Sequence, residues 1–127
     1  LLSHSNFGTS DGESPRKMRE ALGLILEDQP DLHVDGEMQG DSALSRLVRD
    51  LAMPRSRLSG AANLLMFPNL DAANIALTLL KEVASGLHVG PMLMGTARPA
   101  HILSSSATTR GVLNMIAVAA VEADSRQ

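Results

Sequence analysis

Apolar and polar positions alternate between short unbroken runs and longer periodic stretches, and the clearest case lies mid-chain. Asn63-Leu64-Leu65-Met66-Phe67 opens as an apolar run, the pattern of a strand covered on both faces. Pro68 ends it, having no N–H to give a ladder. Asn69 or Asp71 is placed to cap a helix whose Ala73, Ala76, Leu77, Leu80, Val83 and Ala84 keep a 3.6 period. Ser85-Gly86 closes it. Earlier, Ser14-Pro15 predicts a helix start and Met18, Leu22, Ile25 and Leu26 form its stripe, with Pro30 as the stop. Leu32-His33-Val34 is a short strand candidate. Asp41 or Ser42 opens a further helix with Leu44, Leu47, Val48 and Leu51 inward, and Met53 to Gly60 is a surface loop. Val89 to Met94 and Ala100 to Leu103 read as strands around a Gly95–Pro99 turn. Ser106 or Thr108 then caps a last helix to about Ala123. That helix is apolar nearly all round, so it is expected to be buried or to form an interface. Alternating strands and helices imply an α/β domain with a mainly parallel sheet flanked by helices. In such domains ligands sit at strand–turn–helix junctions, here at Asn69–Asn74.

The 127 residues suit one domain rather than two. The 2% aromatic content leaves the core to Leu, Ala, Val, Ile and Met. With no Trp or Tyr to stack bases and a net charge of −3, nucleic acid is not expected as a partner. Zero cysteines exclude disulfides, thiolate catalysis and Cys-based zinc sites, which fits a cytoplasmic location. No apolar run approaches the roughly 20 residues of a membrane span, and no signal-peptide layout is present. The chain starts at Leu1-Leu2-Ser3, like the tail of a strand. We therefore expect a fragment of a longer protein.

Candidate chemistry is sparse. None of the four histidines, at 4, 33, 88 and 101, has another histidine at i, i+4, so His33 and His88 are expected to be satisfied or exposed. Asp35 and Glu37 point the same way if their segment is extended, and would then hold a cation or act as acid and base. With Gly36 between them, the simpler expectation is that they solvate a turn. Ser104-Ser105-Ser106 lacks the glycine frame of a nucleophile elbow. Ser3-His4-Ser5-Asn6-Phe7-Gly8 is the better ligand candidate, because small hydroxyls, an amide and a glycine present backbone N–H groups to an anion. Arg55, Arg57 and Arg98 sit in turns, where they either assist or only solvate the surface. The residues alone stop at an α/β domain with an anion site.

Five segments in order resemble the phosphate acetyltransferase family: Leu2–Gly8, Val34-Asp35-Gly36-Glu37-Met38, Ala62–Leu64 with Asn69–Asn74, Gly90-Pro91-Met92-Leu93-Met94-Gly95, and Leu103-Ser104. Arg98–Leu103, Ser106-Ala107-Thr108 and Val112-Leu113-Asn114-Met115 are similar to the phosphotransacetylase-like C-terminal domain of large bacterial NADP-dependent malic enzymes. The resemblance implies a three-layer sandwich of the isocitrate dehydrogenase-like/phosphotransacetylase type, of which this chain is the latter part. Residues from about 100 to 127 would pack on the missing subdomain. It implies a cleft for CoA and acyl phosphate, to which Ser3, Ser5, Asn6, Gly8, Asn69, Asn74, Arg98 and Ser104 would contribute. In true transacetylases an arginine follows the serine and an aspartate lies several places on. Here those positions are Ser105 and Gly111, which supply neither positive charge nor a proton acceptor. The resemblance therefore implies a non-catalytic, acetyl-CoA-sensing and oligomerising domain, with no nucleic-acid or membrane partner. NADP and a divalent metal would belong to a preceding malic enzyme domain. The alternative is a segment of an active phosphate acetyltransferase.

Overall fold

The computed structural model describes residues 1–84, 88–103, 105 and 107–125. The chain resolves into two compact units, Leu1–Leu80 and Lys81–Gln127.

The first unit is organised on three extended segments. Leu2 forms a parallel bridge with Met38. The Met38 N–H donates to Leu1 O at 3.1 Å and the Ser3 N–H to Met38 O at 3.0 Å, while the Leu2 N–H donates to Met66 O at 2.8 Å. Residues 1–3 thus run between 35–38 and 64–67. Among the described residues this bridge is the extent of regular sheet pairing. Gly36 is required here: a Cβ on it would stand 2.6 Å from Leu1 O, and its φ of +143° suits no side chain.

The apolar core under this ladder is small: Leu2, Met38 and Ala43, with Phe7, Leu58, Ala62, Leu65 and Phe67 packed against it. Leu65 and Phe67 face the core while Leu64 and Met66 are exposed. The expectation of a strand covered on both faces is therefore corrected. In this chain the segment alternates with period two, because one side meets the core and the other meets nothing.

Helix α1 (Glu13–Asp28) starts one residue before the predicted Ser14-Pro15 and ends two residues before Pro30. Its buried residues are Pro15 and Met18. Where one helix was expected after Asp41 there are two, α2 (Gly40–Leu44) and α3 (Arg46–Ala52), broken at Ser45. The Ser45 hydroxyl accepts the Val48 N–H at 3.4 Å and so restarts the helix. The break changes the phase. Leu44, Leu47 and Leu51, expected inward, are exposed, whereas Ser42, Ala43 and Arg49 are buried.

Arg49 is fully buried and acts as the staple of this corner. Its guanidinium donates to the carbonyls of Ser42 at 2.9 Å, Ala43 at 3.4 Å, Leu58 at 3.1 Å and Gly60 at 2.7 Å. The Met53–Gly60 loop is thereby tied to α2 by a charge solvated with backbone dipoles. Helix α4 (Leu70–Val83) carries the chain past Leu80, and none of its residues is buried. Its capping residue is Asn69, whose Oδ1 accepts the Ala72 N–H at 2.9 Å.

In the second unit, α5 (Thr109–Asp124) is capped by Thr108, whose Oγ1 accepts the Gly111 N–H at 3.1 Å. Only Met115 is buried on α5, while Leu113, Ile116 and Val121 are exposed. The predicted strands 89–94 and 100–103 are irregular, joined by a Leu93 N–H to His101 Nδ1 bond of 3.3 Å. His101 Nε2 lies 3.3 Å from the Glu122 carboxylate without a hydrogen bond, so the ring rests against α5. The predicted stop at Ser85-Gly86 lies outside the described residues. No described helix is long and apolar enough to cross a membrane.

Candidate functional site

The Ser3–Gly8 loop owes its shape to its own polar groups. The Ser5 N–H donates to Ser3 Oγ at 3.0 Å and the Phe7 N–H to Glu37 O at 2.7 Å. Asn6 pairs reciprocally with Gln39: its Oδ1 accepts the Gln39 N–H at 2.8 Å and its Nδ2 donates to Gln39 Oε1 at 2.9 Å. Gly8 takes φ +86°, the left-handed turn that glycine permits.

The anion facing this loop is internal. Glu37 is completely buried, and its Oε1 accepts from Ser5 Oγ at 2.9 Å, the Gly8 N–H at 3.0 Å and Arg19 Nη1 at 3.1 Å. Its Oε2 has no hydrogen-bond partner among the described residues. Asp35 is buried too. Its Oδ2 accepts from Ser56 Oγ and the Arg57 N–H, both at 2.7 Å, and its Oδ1 from the Gly36 N–H at 2.9 Å. The expectation that this pair solvates a turn is thus corrected. The two carboxylates serve different partners, and no described group of three or more His, Asp or Glu side chains comes together to hold a metal.

Ser3 and Asn69 line one cavity of about 400 Å³, with His4, Ser14, Gly40 and Pro68. Ser5 and Asn6 border a neighbouring hollow with Gln39. Asn74 is exposed on α4, and its carbonyl accepts from Thr78 Oγ1 at 2.9 Å. Arg98 is exposed in the second unit, and Ser104 lies outside the described residues. The second unit has its own cavity of about 420 Å³, lined by Lys81, His88, Pro91, Thr108, Gly111 and Asn114. Gly111 adds no acid to it. Ser105 is exposed, and His33 is exposed as expected.

Two participants escaped the sequence reading. Arg19 was an ordinary polar position, yet with Pro15, Met18, Leu22 and Leu26 it shares the inward stripe of α1. A cation on an inward-facing stripe needs a partner where it is buried, and that is the signal it offered. Glu37 was weighed as half of a pair, while its partners lie far off in sequence.

This combination of ladder, SxSxxG-type loop and buried DGE carboxylates marks a protein class. Residues 1–120 match the family model described as phosphate acetyl/butaryl transferase, and the chain belongs to that family. It is 62% identical over 122 residues to the NAD-dependent malic enzyme of Rhizobium meliloti (strain 1021), covering 96% of this chain and 16% of that protein. It is 51% identical over 127 residues to the NADP-dependent malic enzyme of Escherichia coli (strain K12), covering 99% of this chain and 17% of that protein. The crystal structure of a phosphotransacetylase from Streptococcus pyogenes superposes with a TM-score of 0.91 at 29% identity, covering 98% of this chain and 38% of that one. The chain therefore spans about a sixth of the malic enzymes it matches. The superposition supports the α/β phosphotransacetylase fold.

Proposed function

We propose that this chain is the regulatory, acetyl-CoA-sensing and oligomerising C-terminal part of a cytoplasmic NADP-dependent malic enzyme. The parent would decarboxylate malate oxidatively to pyruvate, with NADP and a divalent metal held by a preceding domain. Transacetylase chemistry is lost on this reading. The observation that carries it is the contrast between a retained loop and cavity, with Ser3 and Asn69 on one wall, and Gly111 in the second unit's cavity. Binding groups persist where a proton acceptor does not. The higher identity to malic enzymes than to the phosphotransacetylase agrees with it. The mainly parallel three-layer sandwich is part of the same reading. Ser3, Ser5, Asn6, Gly8, Asn69 and Asn74 would line the ligand cleft, and Arg98 and Ser104 are assigned to it from the family pattern.

Calorimetry of acetyl-CoA with the intact parent protein tests this. Saturable binding is expected, with malate or NADP shifting the affinity by the same factor that acetyl-CoA shifts theirs. Absence of heat and of mutual shifts would sink it. The close superposition on a phosphotransacetylase favours one alternative, an active phosphate acetyltransferase segment. Formation of acetyl-CoA from acetyl phosphate and CoA, abolished by Ser104→Ala, would promote that alternative.

A further inference from the structure

Three donors from two parts of the first unit, the Ser3–Gly8 loop and α1, converge on one point. Ser5 Oγ, the Gly8 N–H and Arg19 Nη1 lie 2.9, 3.0 and 3.1 Å from Glu37 Oε1. A hydroxyl, a backbone N–H and a guanidinium around one oxygen are the donor set that binds a phosphoryl or carboxylate oxygen. The carboxylate that fills the point is only half satisfied. Oε1 takes all three bonds, while Oε2 is buried without a partner among the described residues. A buried carboxylate oxygen left unpaired weakens the hold of the native arrangement. Glu37 also borders a cavity of about 480 Å³, whose lining includes Arg19, Met53 and Arg55. That cavity has a second guanidinium on its wall, Arg55, and also Asp35, whose carboxylate is already held by Ser56 Oγ and the Arg57 N–H.

We propose that Glu37 is a displaceable internal anion: it occupies a three-donor oxyanion point that an external phosphoryl oxygen takes when the carboxylate swings toward Arg55. The inference deepens the ligand reading of the Ser3–Gly8 loop and rests on it for that loop's role. It needs only a phosphoryl oxygen, which inorganic phosphate supplies without the rest of CoA. In the occupied state the loop is ordered and closed to anions. In the displaced state Arg19 loses one carboxylate and gains a phosphoryl oxygen, so its guanidinium keeps an anionic partner. No bond is made or broken.

The experiment titrates inorganic phosphate into the 127-residue chain, following the Ser5 and Gly8 amide resonances. Wild type, Glu37→Ala, Glu37→Gln, and each Glu37 variant combined with Arg19→Gln are compared. Glu37→Ala should bind phosphate at least about tenfold more tightly than wild type, since a competing charge-assisted acceptor is gone. The gain should vanish when Arg19→Gln is added. Glu37→Gln keeps the side chain's size and carries the same threshold if the alanine variant does not fold. Equal phosphate affinity in all chains, or a gain that survives Arg19→Gln, overturns the proposal. Loss of helical circular dichroism in both Glu37 variants overturns it too, because an indispensable carboxylate is not a displaceable one. Acetyl-CoA calorimetry on the intact parent protein runs alongside. Binding there with no phosphate gain refutes displacement while leaving the sensing reading intact, and a phosphate gain without acetyl-CoA binding does the reverse.

Discussion

Replacing Arg49 by Met removes a fully buried cation and keeps most of its volume. Three carbonyls within 3.1 Å lose their donor: Ser42 O, which is buried, and Leu58 O and Gly60 O, which are partly buried. An orphaned buried acceptor costs about 2 kcal/mol, and the two that water can partly reach cost about 1 kcal/mol each. Against that sum, the desolvation of a buried cation costs several kcal/mol, most of it offset by the four carbonyl dipoles, so that roughly 1–2 kcal/mol is left for the methionine to relieve. The net expectation is a loss of about 2–3 kcal/mol. With neither Trp nor Tyr present, the assay is urea denaturation followed by far-ultraviolet circular dichroism. A slope of roughly 1–2 kcal/mol/M converts the loss into a midpoint lowered by about 1–3 M. Arg46→Met is the control, since Arg46 forms only an exposed i,i+4 pair with Asp50 at 3.2 Å, and its change should stay below about 0.5 kcal/mol. If Arg49→Met behaves like the control, the four carbonyls do not depend on the guanidinium and the staple argument is wrong.

Three further outcomes follow from the same geometry. Asp35→Asn must turn an NH2 toward either the Ser56 and Arg57 donors or the Gly36 N–H, so it should cost about 2–3 kcal/mol and speed hydrogen exchange at the Arg57 amide. Thr108→Ala deletes the cap on the Gly111 N–H and should cost about 1 kcal/mol of α5 stability, read as an earlier loss of helical signal on heating. Unchanged α5 melting would remove the capping role. Ile116→Glu lies on an exposed part of α5, so stability should move by less than about 0.5 kcal/mol. Its light-scattering mass should fall if that face joins copies, and an oligomer indifferent to the change would count against the oligomerising role.

Local signals carried the helices into the structure. Pro30 bounds α1, Asn69 caps α4 and Thr108 caps α5, because each effect is settled within a few residues of chain. The phase of 40–52 was not legible. Its leucine spacing argues for one inward stripe, but Ser45 restarts the helix and Arg49 finds its acceptors at Leu58 and Gly60, which no local pattern announces. The open sides of α4, α5 and Leu64 have another cause. An apolar face in sequence states what a residue would cover, not whether the covering element lies within the same 127 residues. At the candidate site, Ser3 and Asn69 were legible as loop and turn residues, while their sharing of one cavity is seen only in the fold. The buried role of Glu37 was not, since burial there depends on Arg19 one helix away.

The placement of residues 1–3 between two later segments bears on how the chain acquires its fold. Leu2 is bonded to Met66 and bridged to Met38, so its partners are made well after it. As the chain emerges, this apolar segment meets residue 38 first, and its place between two neighbours is complete only when the 64–67 segment follows. Closing so long a loop is an entropic cost met before any of the core is gained. Helix α1, with 16 residues, can begin to form meanwhile from contacts within its own turns. The ladder and the Glu37 contacts to Ser5 and Gly8 are then late events, and their formation should track the slowest refolding phase rather than the rise of helical signal.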